Sequence, residues 1–489
     1  MSLGEKIRSG AKWSFFGNTT SQVLGFIFGI VLARLLAPAD FGVLVTISVF
    51  TGLAGFIAGG GMGQALVRAK EATKQDYDIV FTLQIIIGSL IYAAFFFAAP
   101  WFATWYDTPL YTDLLRISAL SFILRPFVNL PSSILFREMR FKARNIAGIT
   151  TVFISSAVSI GMAYTGYGVW SLIFGGIAGS ASSALLLAFL AKWRPGWSLD
   201  FRRGGEIARY GLLFTATDFL GYLRNQASIF ILSRTLGPAS VGLYNKGESL
   251  AKMPHSFITH SVYQALFRAM ASEQDNLDKC RYLFFRSISL VAIYATPFYV
   301  GLFWLAEPLI NGVYGAKWSA AAAPLVILTL AWPFWLMENL SGAVLAAMNW
   351  LGRELPVQIS TLVITSLAVI IGLPHGIEGV AFGIVGATIY CALHMLWLAI
   401  NCLKASWLDY VRALIPAAFL NLILAGVLFL VDHALPASLR ASNFIYIAVM
   451  VIMGCLVYAL CFLYLPFTSL RGEQQRWKAI LLLNKTSIP

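Results

Sequence analysis

Residues 34–44 read RLLAPADFGVL, and residues 234–244 read RTLGPASVGLY. Arg, Leu, Pro and Gly held in register two hundred positions apart mark an internal duplication copied in the same orientation. Both copies fall between two long apolar runs, with Pro38 or Pro238 where the next helix begins and Asp40 or Ser240 in its first turn. A proline there loses no hydrogen bond, and an acidic or hydroxyl group suits a helix N-terminus. Each copy is therefore read as the corner of a helix hairpin, and Arg34 and Arg234 as candidate outer-gate residues. Duplicated helical bundles commonly hold a substrate site between halves that rock against each other.

The duplication extends outward from these corners. Arg125, Pro126 and Phe127 match Trp332, Pro333 and Phe334; Met139 and Arg144 match Met348 and Arg353; Gly166, Gly168 and Val169 match Gly376, Gly379 and Val380. The expected organisation is a six-helix lobe over 1–192, a second over 193–404, two further helices over 405–467 and an interfacial tail over 468–489. That tail, beginning RGEQQRWKAILLLNK at Arg471, has the basic amphipathic character of a segment lying at a membrane surface.

Composition agrees with helices in lipid. The 489 residues are 58% hydrophobic and 12% charged, with a mean hydropathy of +0.75, which excludes an ordinary soluble globule. Fourteen apolar stretches, from 13–36 to 444–467, are long enough to span a bilayer, so the fold class is an all-α integral membrane protein. A barrel would need short alternating segments instead. The net charge of +13 does not indicate nucleic acid, because 26 of the 35 lysines and arginines fall on one side once loops alternate. Five lie on the other side and four within spans, so the positive-inside rule puts both termini in the cytoplasm. The first apolar run is too long for a signal peptide and is read as an uncleaved helix. The five cysteines show no C-x-x-C spacing and read as packing residues.

Ionisable residues within spans carry the functional signal, since a charge at the bilayer centre costs about 2.5 kcal/mol or more without water or a partner. Arg125 lies in the fourth stretch, Asp218 and Arg224 in the seventh, and Lys246, Glu248 and Lys252 in the eighth. Asn245, Glu248, Lys252, His255 and Thr259 recur at three and four residues, which makes one polar helix face. The same face of the second stretch reads Val45, Ser48, Gly52, Gly55 and Gly59. Such a face either packs closely against a helix or looks into a cavity shared with its charged copy. Counting rise per residue sets Asp218 and Lys252 at one depth, as a pair, and Arg224 with Lys246 at another, where two cations need an anion between them. Arg125, Arg224, Lys246 and Lys252, with Asn225 and Tyr222, are the candidate set for a phosphate or pyrophosphate group. Asp218, Glu248 and His255 are candidates for ion coupling or pairing.

Other motifs carry less. The glycine run 59–63 (GGGMG) lacks the Lys-Ser/Thr of a phosphate loop, and the histidines have no metal-ligand spacing. No cofactor or metal is expected. Short loops on both sides argue against a glycan polymerase or ligase, which would need a large outer loop.

Three segments resemble one known family: GAKWSFFGNTTSQVLGFIFGIVLARLLAPADFGVLV at 10–45, SILFREMRFKAR at 133–144, and RTLGPASVGLYNKGESLAKMP at 234–254. The chain is similar throughout to the polysaccharide transporters, or Wzx-type flippases, of the multidrug/oligosaccharidyl-lipid/polysaccharide exporter superfamily, nearest to colanic-acid-type exporters. The resemblance implies two six-helix lobes around a central cavity, plus two extra helices that offer a groove to a lipid tail. It implies a carrier, not an enzyme, that moves undecaprenyl-pyrophosphate-linked oligosaccharide across a bacterial inner membrane. Membrane lipid, a coupling H+ or Na+ and the polymerase machinery of glycan assembly are the implied partners. A lipid II flippase or a drug/cation antiporter of the same superfamily is the alternative.

Overall fold

The computed structural model describes residues 3–481 apart from 60 and 70; the side chains of 3–11, 201, 207, 209–218, 256–261, 468 and 481 lie outside the description. Among the described residues the chain is helical, with no strand. Backbone in lipid must satisfy its own hydrogen bonds, and a helix does this within one segment. Two compact units result, Met1–Gly242 and Leu243–Pro489.

The first unit holds α1 (Leu3–Leu35), α2 (Pro38–Gly59), α3 (Met62–Arg68), α4 (Lys74–Trp105), α5 (Leu110–Ala119), α6 (Ser121–Arg137), α7 (Phe141–Tyr164), α8 (Val169–Ala191) and α9 (Phe201–Thr235). Here α8 packs on α6 and α7, α1 on α7, and α9 on α2, α3 and α4. Although α9 opens the second copy of the duplication, its contacts lie with the first unit, so descent and packing divide the chain at different places. At the first corner, the Asp40 carboxylate accepts the Ala37 N–H at 2.9 Å as α2 starts on Pro38. The second corner turns at Gly237, φ +78, and opens α10 (Gly237–Ala271). These corners meet. A Cβ on Gly42 would strike the Pro238 carbonyl, and one on Gly242 would strike that of Pro38, so the duplicated motif packs reciprocally on its own copy.

The second unit continues α10 and adds α11 (Leu277–Leu309), α12 (Ala322–Thr329), α13 (Trp332–Ala347), α14 (Leu351–Gly372), α15 (Gly376–Leu403), α16 (Trp407–Ala434), α17 (Ala437–Arg440), α18 (Asn443–Tyr464) and α19 (Arg471–Leu481). The late helices α16 and α18 pack on each other and on α11, closing Leu424, Leu428, Tyr446 and Met450 around Trp304. Tyr458 fixes α18 by donating to the Ile293 carbonyl at 2.6 Å. The tail helix α19 is held by Trp477 donating to the Tyr294 hydroxyl at 2.8 Å, by Gln474 donating to the Phe462 and Leu465 carbonyls, and by the Arg286–Glu473 pair at 3.3 Å.

The duplication is written in the backbone. Lys192 ends α8 and Lys404 ends α15, both left-handed at φ +51 and +49. Met139 (φ +55) has its counterpart in Asn349 (φ +59), followed by matching bonds from Arg140 N to Leu135 O and from Trp350 N to Leu345 O. Structural equivalence here is one residue off the Met139–Met348 match of the sequence, because the turn geometry and not the side chain was kept. The fourth span differs between the copies: α5 gives way to α6 at Leu120 within one stretch, Leu110–Arg137, with Pro126 inside α6, whereas the α12 stretch bends by 52° into α13 at Pro333. A proline removes one helix hydrogen bond and crowds the carbonyl four residues back.

The fourteen apolar stretches fall on helices, the second, fourth and tenth of them broken. Ten helical stretches among the described residues are long and apolar enough to cross a membrane, or eleven with the bent α12–α13 pair, and one of 53 residues contains both α14 and α15. Large apolar side chains face outward, with Phe97 79%, Phe189 78% and Ile371 74% exposed, as expected where lipid is the solvent. All five cysteines are free; Cys280, Cys391 and Cys402 are buried, whereas Cys455 is exposed and Cys461 half-buried.

Candidate functional site

In the first unit the site begins with the glycine face of α2. Gly52 and Gly55 are one helical turn apart, and neither is bare. A Cβ on Gly52 would collide with the Tyr222 hydroxyl, and one on Gly55 with the Arg125 guanidinium. Tyr222, on α9, donates to the carbonyls of Ser48 and Val49 at 2.9 and 3.0 Å and rests its ring 5.3 Å from Phe56. Arg125, on α6, is half-buried, with its guanidinium carbon 5.4 Å from the Phe122 ring centre. The glycines therefore do what a close-packing face does, but the objects packed are two polar side chains, Tyr222 and Arg125, from other helices.

Arg224, two residues after Tyr222, is half-buried, and Asn225 is exposed. Arg34 is exposed at the first corner; Arg234, exposed at the second, lies 5.3 Å from the Trp105 ring centre. The Asp218 side chain lies outside the described residues, as does that of Thr259.

In the second unit the polar face of α10 carries its own charges. Glu248, 8% exposed, pairs with Lys252 at 2.7 Å one turn on, which gives Lys252 a partner on its own helix. Lys246 lies under two aromatic rings, 4.7 Å from the Tyr314 centre and 5.1 Å from that of Trp318. Such contacts favour a cation that is withdrawn from water. His255 is set edge-on to Trp332 at 5.6 Å and tilted to Trp335 at 5.9 Å, in an aromatic wall that Tyr299 extends by stacking on Trp332 at 4.3 Å. Tyr314 and Trp318 were not among the residues singled out from sequence; the aromatic pair in NGVYGAKW, at 311–318, was the available signal. Among the described residues, no group of His, Cys, Asp and Glu is arranged to hold a metal.

Comparisons agree with this frame. Residues 31–323 match the family described as polysaccharide biosynthesis protein. The lipopolysaccharide biosynthesis protein WzxC of Escherichia coli (strain K12) is 26% identical over 71% of this chain and 71% of its own length. The succinoglycan biosynthesis transport protein ExoT of Rhizobium meliloti (strain 1021) is 24% identical over 65% of each. Among solved structures, the lipid II flippase MurJ in an inward closed conformation superposes with a TM-score of 0.73 at 17% identity, covering 91% of this chain and 97% of that one. An inward-facing multidrug resistance MATE family transporter of the MOP superfamily follows at 0.60 and 17%, covering 78% and 95%. The match covers more than half of the sequence, and this multi-pass membrane chain belongs to the polysaccharide biosynthesis protein family.

Proposed function

We propose that the protein carries a polyprenyl-pyrophosphate-linked saccharide from the cytoplasmic to the outer leaflet of a bacterial inner membrane by alternating access, for exopolysaccharide or lipopolysaccharide synthesis. Family membership, the lipopolysaccharide and succinoglycan biosynthesis named for WzxC and ExoT, and the transport role named for ExoT support the substrate class. One structural observation carries the reading. The Arg125 guanidinium occupies the recess left by Gly55 inside a spanning helix, with no carboxylate in ion-pair range among the described residues. A cation there is stabilised by water or an anion, and a pyrophosphate cannot cross hydrocarbon uncompensated.

Arg224, Lys246 and Lys252 are proposed as further cations for that head group, with Asn225 and Tyr222 meeting sugar hydroxyls. Asp218, Glu248 and His255 would serve H+ or Na+ coupling, and Arg34 and Arg234 an outer gate. The excess of positive loops supports cytoplasmic termini. Handover to the polymerase of glycan assembly follows from the chemistry of the product. Deleting the gene and identifying the accumulated inner-leaflet lipid by mass spectrometry tests the reading. A polyprenyl-linked saccharide is expected; accumulation of lipid II, or of no lipid-linked sugar, overturns it. Normal transport by both Arg224→Ala and Lys246→Ala would remove the anion-binding role of those two residues.

A further inference from the structure

A pocket of about 270 Å³ opens within the first unit where α2 gives way to α3, walled in part by Gly59, Gln64, Gln84, Asn129, Ser132 and Arg144. Gly59, Gly61 and Gly63 line this wall; Gly61 sits at φ +60 as the cap of α3, a backbone conformation that side chains disfavour. Gln84 is 1% exposed; its amide nitrogen donates to the Gly59 carbonyl at 3.3 Å, while its amide oxygen has no hydrogen-bond partner. Buried polar atoms in native proteins are nearly always satisfied, so an acceptor left open beside a polar pocket marks a place for a ligand donor. The side chains of Gln64, Asn129 and Ser132 likewise make no hydrogen bond to other described residues. Arg144 projects at the rim, 5.1 Å from the Phe136 ring centre, with no carboxylate in ion-pair range among the described residues.

From this geometry we infer that the pocket binds one sugar ring carrying an acidic substituent. Its volume falls below the roughly 300–1,000 Å³ of sites for drug-sized ligands, which suits a single ring. Amides and hydroxyls offer the paired donors and acceptors that neighbouring ring hydroxyls require. Val67, Val128 and Phe136 supply apolar surface for the C–H face of the ring, and the Arg144 fork suits a carboxylate or phosphate. A lipid tail would leave the amides unpaired, and an inorganic anion would call for more than one cation. The inference rests on the carrier reading and adds to it a docking place for the sugar part, formed by α2, α3, α4, α6 and α7.

The test uses the full chain in lipid nanodiscs, with free glucuronate and glucose as probes and saturation-transfer NMR as readout. Glucuronate is expected to bind more tightly than glucose. Gly59→Leu fills the pocket from a position where an added Cβ meets nothing within 4 Å, and it is expected to abolish both signals. Asn129→Leu is expected to weaken both by about tenfold, the scale of one lost buried hydrogen bond. Arg144→Gln is expected to bring glucuronate down to the level of glucose. Melting temperature and elution profile verify that each variant is folded. No signal from the wild type, or equal signals from wild type and Gly59→Leu, overturns the pocket; equal binding of the two sugars overturns the role of Arg144. The carrier reading fails separately, through the lipid that accumulates in the deletion strain, which this titration does not read.

Discussion

The same helix face occurs twice in this chain and solves one problem in two ways. On α2 the face carries Gly52 and Gly55, and the polar groups filling it come from α9 and α6 as Tyr222 and Arg125. On α10 the equivalent positions are Lys252 and His255, and the helix brings its own polar groups, one paired with Glu248 and the other set against Trp332 and Trp335. The first copy provides space, and the second provides charge. A helix that looks bare in sequence can therefore be the more crowded of two relatives, because a missing Cβ admits another helix's functional group.

The sharpest break in this comparison is at the corners, where the copies are expected to behave alike. Gly42→Leu and Gly242→Leu each drive a side chain into a backbone carbonyl, and each is expected to cost about 3 kcal/mol, read as a lower melting temperature and a smaller monodisperse fraction. A loss confined to one of them would disprove the reciprocal packing. Next in size is Gly55→Leu, expected to destabilise by about 2 kcal/mol and to stop transport by displacing Arg125. Adding Arg125→Ala should restore the melting temperature but not transport, whereas full activity of Gly55→Leu alone would show that the glycine face holds nothing functional.

On α10 the expected cost has a different origin. Lys252→Met strands Glu248 in a buried position and should cost about 1–2 kcal/mol, a value held down by the 41% exposure of the lysine side chain. The double variant Glu248→Gln/Lys252→Met should recover most of this, as measured in a thermal double-mutant cycle. Smallest is Tyr222→Phe, expected to lower stability by about 1 kcal/mol through the hydrogen bonds lost to Ser48 and Val49, with α2 and α9 still packed.

Much of the fold was legible because lipid imposes a simple code of long apolar runs, corner prolines and unequal loop charge. The repeated corner was readable from Pro38 and Pro238, each at the start of its helix. The Met139–Met348 match slipped by one residue because the turn preserves a backbone angle that either Met or Asn can adopt. At the candidate site, spacing alone grouped Glu248, Lys252 and His255 on one face, a local property of any helix. The partners of Arg125 and Lys246 were not readable, because Gly55, Tyr314 and Trp318 lie far from them in sequence and carry no charge.

By itself the sequence determined the helical class, the duplication and the family, since each follows from local composition and from similarity along the chain. Only the tertiary structure decided that Gly52 and Gly55 are sockets, that Lys252 is answered by Glu248, and that a glycine break beside Gln84 opens a polar pocket. The reason is physical: a helix fixes which residues share a face, but what fills the space before that face depends on side chains brought from elsewhere by packing.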